Sequence, residues 1–201
     1  MNEREREWTG THEAIMEATY RALCTHGYAD LTIQRISDEF EKSKSLLYYH
    51  YETKDALLVD FLDYILDRFM EKLAVEPRGD AHEQFVELLD LLFPDPIEED
   101  GEQFETTLLE LRAQAAHKPE YRDYFTRSNR AIRERIVAII ENGIEQGVFK
   151  PVDPEQTAGL VLATRNGALL QRASSNEEEA VTSVRASLDT YLETHLIAEN
   201  E

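Results

Sequence analysis

The sequence predicts an all-α protein of about nine helices, and three observations carry this prediction. Apolar residues recur at the three- and four-residue spacing of an amphipathic helix along most of the 201 residues. No run of alternating β-branched residues indicates a strand. The eight glycines and six prolines fall between the periodic segments rather than inside a strand-like pattern.

The first three predicted helices lie close together near the N-terminus. The first carries an apolar face around Ile15 and ends at Gly27. Thr32 is placed to cap a short second helix that reaches Phe40, and a third covers residues 43–49. Helices this short are not stable alone, so they must pack on the longer helix before them.

The rest of the chain supplies six further predicted helices. Thr53 is placed to cap a long helix with a broad apolar stripe, and residues 77–80 interrupt the pattern after it. The remaining segments cover residues 81–93, 102–117, 120–146 and 154–172, and a last helix capped at Ser175 and ending near Leu196. Residues 94–101 are predicted to form an acidic loop. We divide the chain into an N-terminal domain, residues 1–56, and a C-terminal domain, residues 57–201.

The composition argues against several classes of protein. The formal charge is −20, from 41 acidic and 21 basic residues, and only six of the basic residues are lysine. Many carboxylates with few lysines resemble the compositional bias of salt-loving organisms. No apolar stretch approaches the roughly 20 residues of a membrane span, and the N-terminus lacks the apolar segment of a signal peptide. With Cys24 as the single cysteine, we expect a cytoplasmic protein without an internal disulfide.

Residues 32–51 have the pattern of a helix-turn-helix, in which two short helices joined by a tight turn pack on a longer one. The second short helix must present polar and aromatic side chains outward while a few apolar ones hold it to the domain. Its spacing turns Leu47 and Tyr51 inward. The face left for a DNA groove comprises Lys44, Ser45, Tyr48 and Tyr49.

Positive charge is concentrated in the same segment. Residues 42–54 hold three lysines (Lys42, Lys44 and Lys54) against Glu52 alone, a local charge of +2 in a chain of −20. This cluster argues against an alternative function, that of an acidic helical protein-interaction module without DNA binding. The acidic runs at 98–100 and 177–179 that would support the alternative are equally explained by solvation.

The N-terminal segment resembles the TetR family of transcriptional regulators. The matching residues are 27–58, GYADLTIQRISDEFEKSKSLLYYHYETKDALL. They share the family's Gly-Tyr opening, its Thr-led second helix, and a close formed by Tyr48, His50, Tyr51, Lys54 and Leu57. The chain departs from the family in the turn, where Glu41-Lys42 replaces the usual Gly-Val. The family pattern therefore does not predict the geometry of this turn.

The resemblance implies DNA-contacting roles for individual residues. Lys44 and Ser45 would reach base edges, since lysine donates to the O6 and N7 acceptors of guanine. The implied phosphate contacts are Tyr48, His50 and Lys54, with Thr32, Gln34, Arg35 and Ser43 as further candidates. Tyr49 would stack on a sugar or pack on thymine methyls. As alternatives, Tyr48, Tyr49 and Tyr51 are core aromatic residues, and His50 caps or fills a corner of the domain.

Residues 109–171 resemble the ligand-binding halves of a TetR subgroup that includes regulators of betaine synthesis. The match implies the order of the helices and not a ligand, because it lies mainly in glycine and proline residues such as Pro119 and Gly167. The predicted pocket residues are Phe61, Tyr64, Phe85, Leu89, Phe104, Leu108, Arg112, Tyr124, Phe125 and Asn166. Arg112 would serve an anionic ligand, whereas aromatic rings with Glu105 or Glu110 would hold an organic cation. Both remain open, and the aromatic residues are also explained as core.

The last two helices are predicted to form a dimer interface. The segment 155–172 is small or aliphatic around much of its surface, so it must be buried on more than one side. Two such helix pairs would make a four-helix bundle about a two-fold axis. The predicted interface residues are Leu162, Ala163, Leu170, Val184, Leu188 and Tyr191.

These observations predict a DNA-binding transcriptional regulator. It would be a homodimeric repressor, released from a pseudo-palindromic operator in double-stranded DNA by an unknown small-molecule ligand. No cofactor, metal or enzymatic activity is expected. No histidine follows a glutamate by three positions, and neither His-Glu-x-x-His nor Gly-x-Ser-x-Gly is present.

Overall fold

The computed structural model describes residues 10–40, 44–73, 79–94, 99–176 and 179–198. Within these ranges it contains nine α-helices and no strand, apart from one isolated bridge between Phe149 and Ile197. The helices are α1 Gly10–Asp30, α2 Ile33–Asp38, α3 Lys44–His50, α4 Lys54–Leu73, α5 Ala81–Leu92, α6 Glu99–Gln114, α7 Pro119–Glu145, α8 Pro154–Ser174 and α9 Ala180–His195. The all-α prediction is confirmed. No helix of the described ranges is long and apolar enough to cross a membrane.

Several helix ends follow from local sequence signals. Thr32 caps α2, because its Oγ1 accepts the Arg35 N–H at 3.1 Å. Asp153 caps α8 through the Gln156 N–H at 3.1 Å, and Pro154 occupies the first turn. Within α1 the helix is interrupted at Gly27, whose φ of 67° is one that glycine adopts without steric cost.

Three predicted boundaries are wrong. The segment predicted as a loop over residues 94–101 is helical from Glu99 onward, and α6 ends at Gln114 rather than near residue 117. Acidic residues favour the first turn of a helix, where the helix dipole is positive. Ser175 ends α8 instead of capping α9, since its N–H donates to the Gln171 carbonyl at 2.9 Å. The predicted turn residues Glu41 and Lys42, and the predicted helix start at Ser43, lie outside the described residues.

The chain packs as two compact units. Unit 1 comprises residues 1–66 and 98–124, and unit 2 comprises residues 67–97 and 125–201. In unit 1, α1 packs along α6 and against α2. In unit 2, α8 packs on α9, and the Phe85 and Phe149 rings meet edge to face at 5.9 Å. The predicted functional boundary between residues 56 and 57 stays a prediction, since packing groups residues 98–124 with the N-terminal helices.

Candidate nucleic-acid interface

Helix α3 presents one face to solvent and holds the other in the core of unit 1. Leu47 is 0% exposed, and Tyr51, just after the helix, is 6% exposed and donates its hydroxyl to Asp60 Oδ2 at 2.9 Å. Tyr48 and Tyr49 are 49% and 83% exposed, and Lys44 and Ser45 are exposed beside them. The predicted orientation of this helix is therefore confirmed.

Helix α3 packs on α2, which in turn packs on α1. Ile36 of α2 and Leu23 of α1 are fully buried, and Phe40 closes the same core at 5% exposure. Arg21 ties α1 to the end of α2, because its Nη2 donates to the Glu39 carbonyl at 2.8 Å. The short helices gain from this packing the stability that they lack alone.

Asp38 gathers two of the predicted DNA-contacting side chains. Its Oδ1 lies 2.6 Å from Lys44 Nζ and accepts a hydrogen bond from Gln34 Nε2 at 2.9 Å. The hydrogen bond from Lys44 is the main reason that the pKa of Asp38 is lowered. Sequence analysis missed Asp38, because its partner lies six residues away across a turn and follows no helical period.

Lys54 lies at the start of α4, half-buried beside Tyr28. Its Nζ is 3.4 Å from the Tyr28 carbonyl oxygen and 4.7 Å from the centre of the Tyr28 ring. Thr53 caps this helix as predicted, accepting the Ala56 N–H on Oγ1 at 3.1 Å. The contacts orient the lysine stem and place a cation at the positive end of α4.

The remaining predicted contact residues fall into three groups. Thr32 is exposed and its Oγ1 is used in capping, while Arg35 donates to the Asp30 backbone carbonyl. His50 is half-buried, and its ring lies edge to face with that of His12 at 5.1 Å, which matches its alternative role in a corner of the domain. Ser43 lies outside the described residues.

The predicted ligand residues divide between the two units. Unit 1 contains Phe61, Tyr64, Phe104, Leu108, Arg112 and Tyr124, and unit 2 contains Phe85, Leu89, Phe125 and Asn166. In unit 1 the Phe104 ring lies 6.2 Å from that of Phe61 and 4.9 Å from that of Tyr20, which sequence analysis missed. Phe61 is fully buried in this cluster and acts as a core residue.

The contacts of polar residues in α6 bear on whether the ligand is an anion or an organic cation. Burial lowers the pKa of Arg112, an effect that the neighbouring Tyr124 opposes. Glu110 accepts the Tyr28 N–H on Oε2 at 3.1 Å, so part of its carboxylate serves the fold. Thr107, which the prediction omitted, is fully buried, and its Oγ1 has no hydrogen-bond partner in the described structure.

A cleft of about 250 Å³ lies between α5 and α9 in unit 2. It contains Phe85 and Leu89 from the predicted ligand set, together with Arg185 and Asp189. Arg185 is already paired with Asp189 at 2.8 Å and with Asp90 at 2.9 Å. Arg185 and Asp189 in the wall of the cleft are therefore already paired with each other.

The predicted dimer residues differ in exposure. Leu162 and Leu188 are 5% and 4% exposed, so both belong to the core of unit 2 within one protomer. Leu170 and Tyr191 are 48% and 46% exposed, Ala163 is exposed, and Val184 is half-buried. Leu160, which the prediction missed, is 39% exposed on the same helical spacing as Ala163 and Leu170.

Both halves of the chain match known protein families. Residues 15–61 match the model for bacterial regulatory proteins of the tetR family. Residues 81–197 match the model for the C-terminal domain of BetI-type transcriptional repressors. The chain belongs to the TetR family.

Solved structures of TetR-type regulators resemble this one along nearly its whole length. A TetR transcription regulator from Haloarcula marismortui is 38% identical, with a TM-score of 0.84, over 92% of this chain and 97% of that chain. A transcriptional regulator from Saccharomonospora viridis, solved in complex with choline, is 23% identical, with a TM-score of 0.81, over 93% and 97% of the two chains. The second likeness shows the fold alone.

A relative of known name also matches the chain along nearly its whole length. The transcriptional repressor AcnR from Corynebacterium efficiens is 22% identical over 181 residues, which are 90% of this chain and 91% of its own length. As a TetR-family member, the protein is a DNA-binding transcriptional regulator with a ligand-binding C-terminal domain, and it is not an enzyme. Nothing in these likenesses favours the acidic interaction module.

Proposed function

We propose that this TetR-family regulator is a homodimeric repressor that places α3 in the major groove of a pseudo-palindromic operator and leaves it when a small molecule binds. The observation that carries the proposal is the division of α3 into a buried anchor, Leu47, and an exposed polar and aromatic face. Such a face on a helix held by two others is what groove reading requires.

Within this proposal Lys44 and Ser45 read bases. Lys44 would exchange its pairing with Asp38 for guanine acceptors, and Ser45 lies beside it on the first turn of α3. Tyr48 and Lys54 would contact phosphates, which position the protein but carry no sequence information. Thr32, Gln34 and Arg35 would add backbone contacts from α2. The exposed Tyr49 is left for a sugar or a thymine methyl group.

The homodimer is proposed from an exposed stripe on α8. Leu160, Ala163, Gly167 and Leu170 lie three or four residues apart, and all four are exposed. Three of them are apolar and the fourth is glycine, so two copies of the stripe can approach closely about a two-fold axis. Tyr191 of α9 supplies a further exposed apolar side chain.

The ligand is proposed to bind in the C-terminal domain and to act on α4, whose first turn carries Lys54. Choline and a small dicarboxylate distinguish the two kinds of ligand, an organic cation held by aromatic residues and an anion held by Arg112. Release of the protein from DNA by choline alone would favour an organic cation. Release by the dicarboxylate alone would favour an anion held by Arg112.

The proposal is tested by an electrophoretic mobility shift with DNA from upstream of the protein's own gene. We expect saturable binding by the wild type. Tyr48→Phe and Lys54→Gln should weaken binding to every site, whereas Lys44→Ala should weaken binding and relax the preference at one base position. Failure to bind this DNA at any salt concentration, together with failure to enrich a sequence from a random duplex library, would contradict the proposal.

A further inference from the structure

Asp55, in the first turn of α4, is held by two side chains from a distant part of the chain. Its Oδ1 lies 2.6 Å from Lys118 Nζ and accepts the Tyr121 hydroxyl hydrogen at 3.0 Å. Lys118 directly precedes α7, and Tyr121 lies in the first turn of that helix. All three residues belong to unit 1.

The environment keeps these groups in fixed protonation states. The hydrogen bond with Lys118 lowers the pKa of Asp55, and the same bond raises the pKa of Lys118. Burial raises the pKa of Tyr121, whose side chain is 1% exposed. The Lys118 ammonium also lies 5.2 Å from the centre of the Tyr121 ring. The carboxylate is therefore charged, neutralised by an adjacent ammonium, and fixed by a buried hydroxyl.

The position of this carboxylate matters for DNA. A negative charge in the first turn stabilises a helix through its dipole, but the same charge repels a phosphate approaching the helix end. Asp55 follows Lys54, the proposed phosphate contact, and both lie in that turn. Lys118 reduces the conflict, because its ammonium compensates the charge of Asp55, which would otherwise be left to Lys54 alone.

We propose that Lys118 is a positioning and charge-compensating residue for DNA binding: it neutralises Asp55 and, with Tyr121, holds the first turn of α4 for the phosphate contact of Lys54, without touching DNA itself. The inference rests on the proposed function, since it requires that Lys54 faces a phosphate. It adds to the DNA-binding machinery two residues that lie 63 and 66 positions from Asp55.

The test compares matched variants on one operator, taken from a random duplex library by selection with the wild type. Binding is measured at the lowest KCl concentration at which circular dichroism shows every variant folded. Lys118→Gln, which leaves Asp55 uncompensated, should bind about threefold to tenfold more weakly than the wild type. Lys72→Gln makes the same change of net charge in the last turn of α4, and it should bind within about twofold of the wild type. Added KCl should reduce the loss in Lys118→Gln, because salt screens the uncompensated charge.

The double variant Asp55→Asn/Lys118→Gln separates charge compensation from a structural contact. It lacks the ion pair, as Lys118→Gln does, but it also lacks the repulsive carboxylate, so it should recover affinity to within about twofold of the wild type. An unchanged affinity in Lys118→Gln, or a double variant as weak as Lys118→Gln, would overturn the inference. If the wild type selects no sequence, the proposed function fails and this inference falls with it.

Discussion

At the scale of single residues, two of the proposed DNA contacts already bind groups within their own chain. Lys44 is paired with Asp38, and Lys54 lies on Tyr28. In the proposed complex the pairing of Lys44 with Asp38 would be exchanged for a contact with DNA, so the measured affinity would be a difference between two sets of interactions. Asp38 is the clearest case, because its negative carboxylate lies on the surface that is proposed to face the phosphates of DNA.

Replacing Asp38 with asparagine should therefore strengthen DNA binding. The change removes a negative charge from the proposed interface and releases Lys44, and we expect affinity to rise about twofold to fivefold for an exposed pair. Fluorescence anisotropy with a labelled operator measures this. Glu134→Gln removes an acceptor of the same kind from the exposed Arg130–Glu134 pair of α7, 2.7 Å apart, and should leave affinity unchanged. Weaker binding by Asp38→Asn would show that Asp38 holds α3 in its reading position.

Residue-level prediction succeeded at three positions where the signal is local, although the local signal at Ser175 was misread. The caps at Thr32 and Thr53 and the break at Gly27 depend on a few neighbouring residues, and sequence alone predicted them. The contacts of Lys44 with Asp38 and of Lys118 with Asp55 cross turns or join distant segments, and no spacing rule indicates them. The exposure of the α3 face was thus predictable, whereas its pairing with Asp38 was not. The DNA-contacting roles of these residues stay predictions.

At the scale of helices, periodicity predicted which elements exist better than where they end. The limits of α6 were misplaced because acidic residues are typical both of a solvated loop and of the first turn of a helix. Helix α8 carries exposed apolar residues, as the predicted interface requires, and its role in a dimer stays a prediction. Spacing alone could not show that Leu162 faces the core of its own protomer. A helix that is apolar nearly all round gives no sequence signal for which side meets a partner.

The exposed stripe of α8 leads to a prediction about assembly. Leu170→Glu places a charge on a side chain that is already 48% exposed, so the protomer should remain folded while the homodimer is weakened. Light scattering at micromolar concentration should show a dimer for the wild type and mostly monomer for the variant.

Met70→Glu is the matched control, because Met70 is 42% exposed on α4 and the substitution has the same chemistry. This variant should remain dimeric. A dimeric Leu170→Glu protein with unchanged thermal unfolding would place the interface elsewhere.

At the scale of the whole molecule, the charge of −20 and the positive segment at 42–54 act in opposite directions on DNA. A purely basic binder loses affinity with salt because it releases counterions from each phosphate that it neutralises. An acidic body brought close to DNA takes up cations, which offsets part of that release. The scarcity of lysine beside many carboxylates resembles the compositional bias of proteins that work in concentrated salt.

Specific binding should therefore persist as salt rises. If Arg35 and Lys54 of each protomer neutralise one phosphate each, the slope of log affinity against log salt has a magnitude of about 4 at most, and cation uptake makes it smaller. Anisotropy titrations from 0.2 M KCl upward measure the slope. A steeper loss would mean that the acidic residues do not have this role.

The single buried anchor of α3 has a consequence for how such a regulator changes over generations. Within this helix only Leu47 is buried, while Lys44, Ser45, Tyr48 and Tyr49 contribute little to the stability of the fold. Under the proposed base-reading role, substitutions of Lys44 and Ser45 would alter the DNA sequence that is recognised without unfolding the protein. Duplicated copies of the gene would thus acquire new operators while keeping the same fold, because operator specificity and folding depend on different residues of α3.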